Sequence, residues 1–287
     1  MSSLPELPLL LEPADLLPLL HHAQSQHPKL LIVDLSQEAS YVHSHVPGAI
    51  YMPFRAIVNG QPPAPGNLPP LEVLTEVFAM MGLRPDCHVV AYDDEGGGWA
   101  GRLIWALDMV GFTRASYLNG GIHAWRMQEL PLEDESRYTP AAMLPLQLQS
   151  GPSVDKDYIL QRHRDADFIV WDARSPAEYR GERTFAAKGG HIPGAVNYEW
   201  TWAMDPQQGL RLRDLETIRS ELASLGITPD KEIVTHCQTH HRSGLTYLLG
   251  RVLGFPRISA YPGSWSEWGN SPDTPAIVGS QPWPSAN

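Results

Sequence analysis

Cysteine is the scarcest informative residue, since 287 residues carry only Cys87 and Cys237. Two thiols build neither a disulfide framework nor a multi-thiolate zinc site, and they suit a reducing compartment. Positive charge is also short. Lys and Arg number 21 against 32 Asp and Glu, a formal net charge of −11, which argues against nucleic acid or an anionic membrane surface as partner. No apolar run approaches the roughly 20 residues of a membrane span. The Leu-rich start lacks basic residues, and Pro5, Glu6, Pro8, Glu12 and Asp15 interrupt it, unlike a signal peptide. A soluble, cytoplasmic chain is expected, with no membrane contact. What is present is apolar substance, 43% hydrophobic residues and nine Trp, and length enough for two packed domains.

The sequence is written twice. Leu31-Ile32-Val33-Asp34 returns as Ile169-Val170-Trp171-Asp172, and His45-Val46-Pro47-Gly48-Ala49 as His191-Ile192-Pro193-Gly194-Ala195. Gly82 to Asp86 answers Gly226 to Asp230, and Gly120 to Trp125 answers Gly263 to Trp268. Each copy alternates short apolar strands with helical periodicity, which predicts an α/β domain with a mainly parallel sheet flanked by helices. The expected boundaries are a first domain over 1–132, a proline-containing linker over 133–153, a second domain over 154–275 and a tail over 276–287.

The chemistry concentrates in residues 232–253, EIVTHCQTHHRSGLTYLLGRVL. Glu232 to His236 reads as a buried strand. Ser243 is the expected N-cap of a helix whose Leu245, Leu248, Leu249 and Val252 share a face. Cys237 therefore opens a tight loop at a strand end. Successive amides there form an anion-binding nest, and the helix start adds positive potential. Both favour a thiolate. Arg242 supplies a fixed cation at the far lip. The equivalent loop in the first copy is Asp93-Asp94-Glu95-Gly96-Gly97-Gly98, without a thiol, so that domain is expected to be non-catalytic.

Four residues separate Cys237 from Arg242, one fewer than the five of the phosphate-cradling loops of cysteine phosphatases. CQTHHRS resembles the loop of bacterial two-domain thiosulfate sulfurtransferases, members of the rhodanese family, and the resemblance covers nearly the whole chain. It implies two tandem rhodanese-like domains and transfer of the sulfane sulfur of thiosulfate to cyanide or a cellular thiol. The route implied is a Cys237 persulfide and ping-pong kinetics, with no cofactor and no metal, in a monomer. Cys237 and Arg242 are then catalytic, and Gln238, Thr239, His240, His241 and Ser243 contact the donor. The animal enzymes carry a second donor-binding arginine six residues after the aspartate matching Asp172. Here that place is Glu178, so Arg180 is the substitute expected. The loop matches neither the CRKGVTA of animal thiosulfate enzymes nor the CGSGVTA of mercaptopyruvate enzymes. 3-Mercaptopyruvate therefore stands as the alternative donor. A phosphatase, an arsenate reductase and a sulfur-carrying or redox-sensing module are the more distant alternatives.

Other residues read as structure. Cys87 follows Pro85-Asp86 without basic company. His45 and His191 occur in both copies, including the one without a thiol, as do Asp34 and Asp172. Trp125 and Trp268 are expected in the cores; Trp265, found only in the second copy, either walls the site or packs. His236, His240 and His241 make a poor metal set with Cys237, because consecutive side chains diverge.

Overall fold

A computed structural model describes residues 4–25, 28–142 and 144–284. Met143 of the expected linker and the last three residues of the expected tail lie outside the described residues.

The strands are β1 Leu10–Leu11, β2 Leu30–Asp34, β3 Ala49–Tyr51, β4 His88–Tyr92, β5 Ala115–Leu118, β6 Phe168–Asp172, β7 Val196–Asn197, β8 Met204–Asp205, β9 Arg211–Leu212, β10 Glu232–His236 and β11 Ile258–Ala260. They build two sheets of parallel strands, ordered β1-β5-β4-β2-β3 and β11-β10-β6-β7, while β8 and β9 form a small antiparallel ribbon. Apolar β-branched runs such as Leu30–Asp34 and His88–Tyr92 are buried along their whole length, as strands covered on both faces by helices must be.

The chain divides into two compact units whose segments alternate in sequence. The first comprises residues up to Ile57, Leu68–Gln149 and Met204–Leu212; the second comprises Val58–Asn67, Ser150–Ala203 and the residues from Arg213 on. In the first unit, Leu11, Leu30, Ile32, Val90, Leu118 and Trp125 belong to one core cluster. In the second, Val170, Tyr179, Val234, Tyr261, Trp265 and Trp268 do the same.

The repeated histidines serve the scaffold. His45 Nδ1 lies 2.8 Å from the Tyr41 carbonyl oxygen, and its ring stacks on Tyr41 at 3.9 Å. His191 repeats both contacts with Tyr179, at 2.9 and 3.8 Å. Trp125 and Trp268 are buried and donate their indole N–H groups to the carbonyls of Pro131 and Pro275.

β4 and β10 occupy interior positions of their sheets, with Asp34 paired to Tyr92 and Asp172 to His236. The residues that follow, Asp93 and Cys237, thus emerge at the carboxyl end of an interior strand, where open parallel sheets bind ligands. Among the described residues, no helix is long and apolar enough to cross a membrane.

Candidate active site

β10 ends at His236, and a helix begins at Arg242 and runs to Val252. Its N-cap is His241, two residues before the Ser243 expected from the sequence, and no side chain caps it. The reason is local. His240 takes φ +55°, a left-handed turn that closes the loop early and brings Ser243 into the first helical turn. The Ser243 hydroxyl, released from capping, donates to Cys237 Sγ at 3.5 Å and lies 2.8 Å from His240 Nδ1.

The loop backbone is fastened from the segment after β11. Cys237 N donates to Ser264 Oγ at 3.3 Å. The Cys237 and Gln238 carbonyls accept from the amides of Trp265 and Ser266, both at 3.0 Å. Below lies a buried charged layer. The Arg174 guanidinium binds both carboxylate oxygens of Asp172 and sits 4.3 Å from the centre of the Trp265 ring; His236 Nε2 approaches Asp172 at 3.4 Å. Burial alone would raise the Asp172 pKa, but Arg174 and then His236 hold it well below the usual carboxylate range. Trp265 is a core residue, 1% exposed, with its indole N–H on the Lys188 carbonyl.

Cys237 is 1% exposed. Burial opposes its ionisation more than any other single influence, yet the thiol sits below its ordinary value. The Arg242 charge, the hydrogen bonds from the Ser243 side chain and backbone, and His241 together outweigh burial. Cys87 shows the opposite balance. Burial raises its pKa, and its thiol donates to the Arg84 carbonyl at 3.1 Å.

The other expected site residues separate in the structure. His240 is fully buried and turned toward Ser243 instead of lining an open mouth. His241 is half-buried, with its ring 5.6 Å from that of Trp200. The Gln238 amide reaches the Phe185 carbonyl at 3.4 Å. Thr239 is half-buried, and its carbonyl faces Gly66 of the second unit. Arg180 spends its guanidinium on Glu182 at the surface, through bonds of 2.7 and 2.8 Å. The side chain that reaches Arg242 from this stretch is Glu178, through Nη1–Oε2 at 2.6 Å and Nη2–Oε1 at 2.8 Å.

Sequence reasoning missed three residues. In the sequence Glu178 marks only the place where the animal enzymes carry an arginine, and the capping box it closes with Ser175 marks a helix start and not a partner for Arg242. Ser264 stands where the first copy has Gly121, a break in the repeat that could have drawn attention. Gly66 gave no signal, because it comes from a proline-rich stretch remote in sequence from the loop. A Cβ placed on it would lie 2.2 Å from the Pro262 oxygen and 2.5 Å from the Thr239 oxygen. The backbone of 58–67 therefore presses directly on the Cys237 loop.

Comparison with known proteins agrees with this geometry. The family model described as "Rhodanese-like domain" matches residues 15–128 and again 155–271. The chain is 54% identical to thiosulfate sulfurtransferase of Azotobacter vinelandii, covering 96% of this chain and 99% of that one. It is 50% identical to thiosulfate sulfurtransferase of Pseudomonas aeruginosa, over 97% and 100% of the two chains. In fold it is similar to the anaerobic ergothioneine biosynthesis enzyme of Chlorobium limicola, with a TM-score of 0.83, 22% identity, and coverage of 97% and 72%. A repeated parallel-sheet domain, one copy with a buried cysteine at a strand end, thus meets two matches to one family model, and the chain belongs to the rhodanese family as a protein of two rhodanese-like domains.

Proposed function

We propose that the chain is a thiosulfate sulfurtransferase that carries sulfur on Cys237. The observation that carries this reading is a buried thiol set at a strand end in a strand–loop–helix turn, with the Ser243 hydroxyl on its sulfur and the Arg242 charge favouring its ionised form. The Cys237 thiolate attacks the outer sulfur of thiosulfate. The S–S bond of the donor breaks, its electron pair leaves with sulfite, and Cys237 becomes a persulfide. The negative charge now rests on the terminal sulfur, which the loop amides hold as an oxyanion hole holds oxygen. Cyanide or a cellular thiol takes that sulfur, and the thiolate returns. A covalent intermediate between two substrates gives ping-pong kinetics, and no step calls for a metal or organic cofactor.

Gln238, Thr239, His240, His241 and Ser243 form the cradle in this reading. His240 acts from behind the loop through Ser243. Arg242 tunes the thiolate. Arg180 could serve as a second anion contact only after its ion pair with Glu182 opens. The proposed first domain, 1–132, supplies no nucleophile, because Asp93 follows β4 there; the second, 154–275, holds the reaction, with 133–153 as linker and 276–287 as tail. A monomer working in the cytoplasm is part of the same proposal.

The test is intact-protein mass before and after thiosulfate, on wild type and on Cys237→Ser. Wild type is expected to gain one sulfur atom and lose it to cyanide, while the variant gains none. Loading by 3-mercaptopyruvate alone would change the donor, and loading of the variant would refute the nucleophile.

A further inference from the structure

Arg242 does not face an incoming anion with an open guanidinium. Its two terminal nitrogens are engaged with the two oxygens of Glu178, at 2.6 and 2.8 Å. This bidentate arrangement is the geometry in which guanidinium and carboxylate bind most strongly and most directionally. Glu178 is itself held firmly. Its Oε2 also accepts from the Ser175 hydroxyl at 2.8 Å and the Ser175 amide at 3.2 Å, and the residue is 4% exposed. A carboxylate with that many donors stays ionised; burial works against it, but Arg242 and Ser175 hold its pKa below the ordinary value. The charge at the lip of the loop is therefore an internally neutralised pair.

Two consequences follow for donors. A compact oxyanion such as thiosulfate can be held by loop amides without disturbing the pair. A donor whose charge is a planar carboxylate gains most from a guanidinium fork, and the end-on Nη1–Nη2 face of this fork is already filled by Glu178. It must displace Glu178 or forgo the end-on bidentate contact, and either lowers its affinity. Specificity achieved by an unfavourable element is as effective as specificity achieved by a favourable one.

We infer that Glu178 is a positioning residue that sets donor specificity. By holding the Arg242 fork it confines that arginine to tuning the Cys237 thiolate and disfavours carboxylate-bearing sulfur donors. The inference rests on the thiosulfate reading above and adds the residue that selects within it.

The experiment measures kcat and KM of wild type and Glu178→Gln with two donors, thiosulfate and 3-mercaptopyruvate, with cyanide as acceptor. Gln keeps the shape and removes the charge. The ratio of kcat/KM for 3-mercaptopyruvate to that for thiosulfate is expected to rise about 10-fold or more, the scale of one charged contact in a buried site. Most of the change in the ratio should fall in KM of the carboxylate donor, and any loss of kcat should be the same factor for both donors. Thermal melting reports whether the variant folds. If it does not, Glu178→Asp, too short to span the fork, should shift the ratio in the same direction by less. An unchanged ratio with kcat lowered equally for both donors would mean that Glu178 only braces the loop, and the inference would be wrong. Wild type that takes no sulfur from thiosulfate, seen by mass, would instead overturn the thiosulfate reading itself, and this inference with it.

Discussion

The loop after β4 and the loop after β10 are two solutions to one backbone problem. Each leaves an interior strand and turns back into a helix, so each gathers amides around a single point. In the first unit that point is filled from within. Asp93 Oδ1 accepts from the amides of Glu95, Gly96 and Gly97 at 3.1, 3.1 and 2.8 Å, and Oδ2 accepts from Trp99 and Ala100, both at 3.0 Å. Gly96 and Gly97 reach this arrangement with φ of +96° and +104°. In the second unit the side chain at the same place is a thiol, which occupies less of the space and brings no acceptor of comparable strength. One loop carries a carboxylate in its own side chain, and the other leaves that place to a thiol.

The layer beneath the loops differs in step. Asp34 lies below the first with Ser36 and Tyr92, and burial raises its pKa. Asp172 lies below the second, paired with Arg174 and His236, and is held low. Hydrogen bonds from Ser36 and Tyr92 hold Asp34 beneath the loop that Asp93 fills. Under Cys237 the charged layer reaches the loop through His236, whose Nδ1 lies 3.2 Å from the Cys237 carbonyl oxygen. The difference teaches that both copies keep a strand–loop–helix turn of converging amides, and that the side chain set in it, carboxylate or thiol, is what distinguishes them.

The largest effect expected from breaking this comparison is on the silent side. Asp93→Ala removes the internal anion and leaves five amides aimed at an empty, buried point. Unpaired buried donors cost about 1–3 kcal/mol each, and water entry recovers part of that. A net loss of about 3 kcal/mol is expected in urea unfolding of the first unit. Sulfate in the millimolar range should restore part of it, because the vacated cradle matches a small anion. Full stability without sulfate would show that the carboxylate is not what satisfies the loop.

The second effect concerns the support of the reactive loop. Gly66→Ala introduces a Cβ 2.2 Å from the Pro262 oxygen and 2.5 Å from the Thr239 oxygen, and both neighbours are backbone. Either 58–67 or the loop must shift. A displacement of roughly 1 Å at a catalytic loop commonly costs about 100-fold in rate, so a fall in kcat of about 10- to 100-fold is expected, with Cys237 still able to accept sulfur slowly. Single-turnover loading followed by mass separates this from loss of the protein. Wild-type kcat in the variant would mean that 58–67 yields instead of the loop.

Much of this was legible from residue order because it depends on local pattern. The duplication, the strand ends at Asp34 and Asp172, and the exchange of Asp93 for Cys237 follow from short-range periodicity and spacing. Asp93 and Cys237 do stand at equivalent strand ends. The scaffold role of His45 and His191 was legible too, because the pair survives in the copy that lacks a thiol. What was not legible depends on single backbone angles or distant segments. The turn at His240 set the helix start at Arg242 and not after Ser243, and no propensity scale marks a left-handed histidine. Glu178 and Gly66 approach the loop from 59 or more positions away, and nothing in their immediate sequence names the partner.

The smallest effect expected tests how the second loop favours its thiolate. Three influences lower the Cys237 pKa against burial: Arg242 first, then the two hydrogen bonds from Ser243, then His241. Ser243→Ala removes the hydroxyl bond and leaves the amide bond and both charges. One such bond is worth about 1 kcal/mol, so the thiol pKa should rise by less than about one unit. The sign fixes what is measured. Loading needs the thiolate, so its rate falls as pH drops through the thiol pKa, and a raised pKa moves that fall to higher pH. In Ser243→Ala the pH profile of persulfide formation should therefore shift to the alkaline side, with a rate at neutral pH reduced about 3- to 5-fold and an unchanged plateau above the new pKa. The same substitution removes the partner of His240 Nδ1, so a structural fault would lower the plateau as well. A lowered plateau without a shifted inflection would assign Ser243 to holding the buried histidine, and would leave Arg242 as the chief reason that one strand end carries a reactive thiolate while the other carries its own anion.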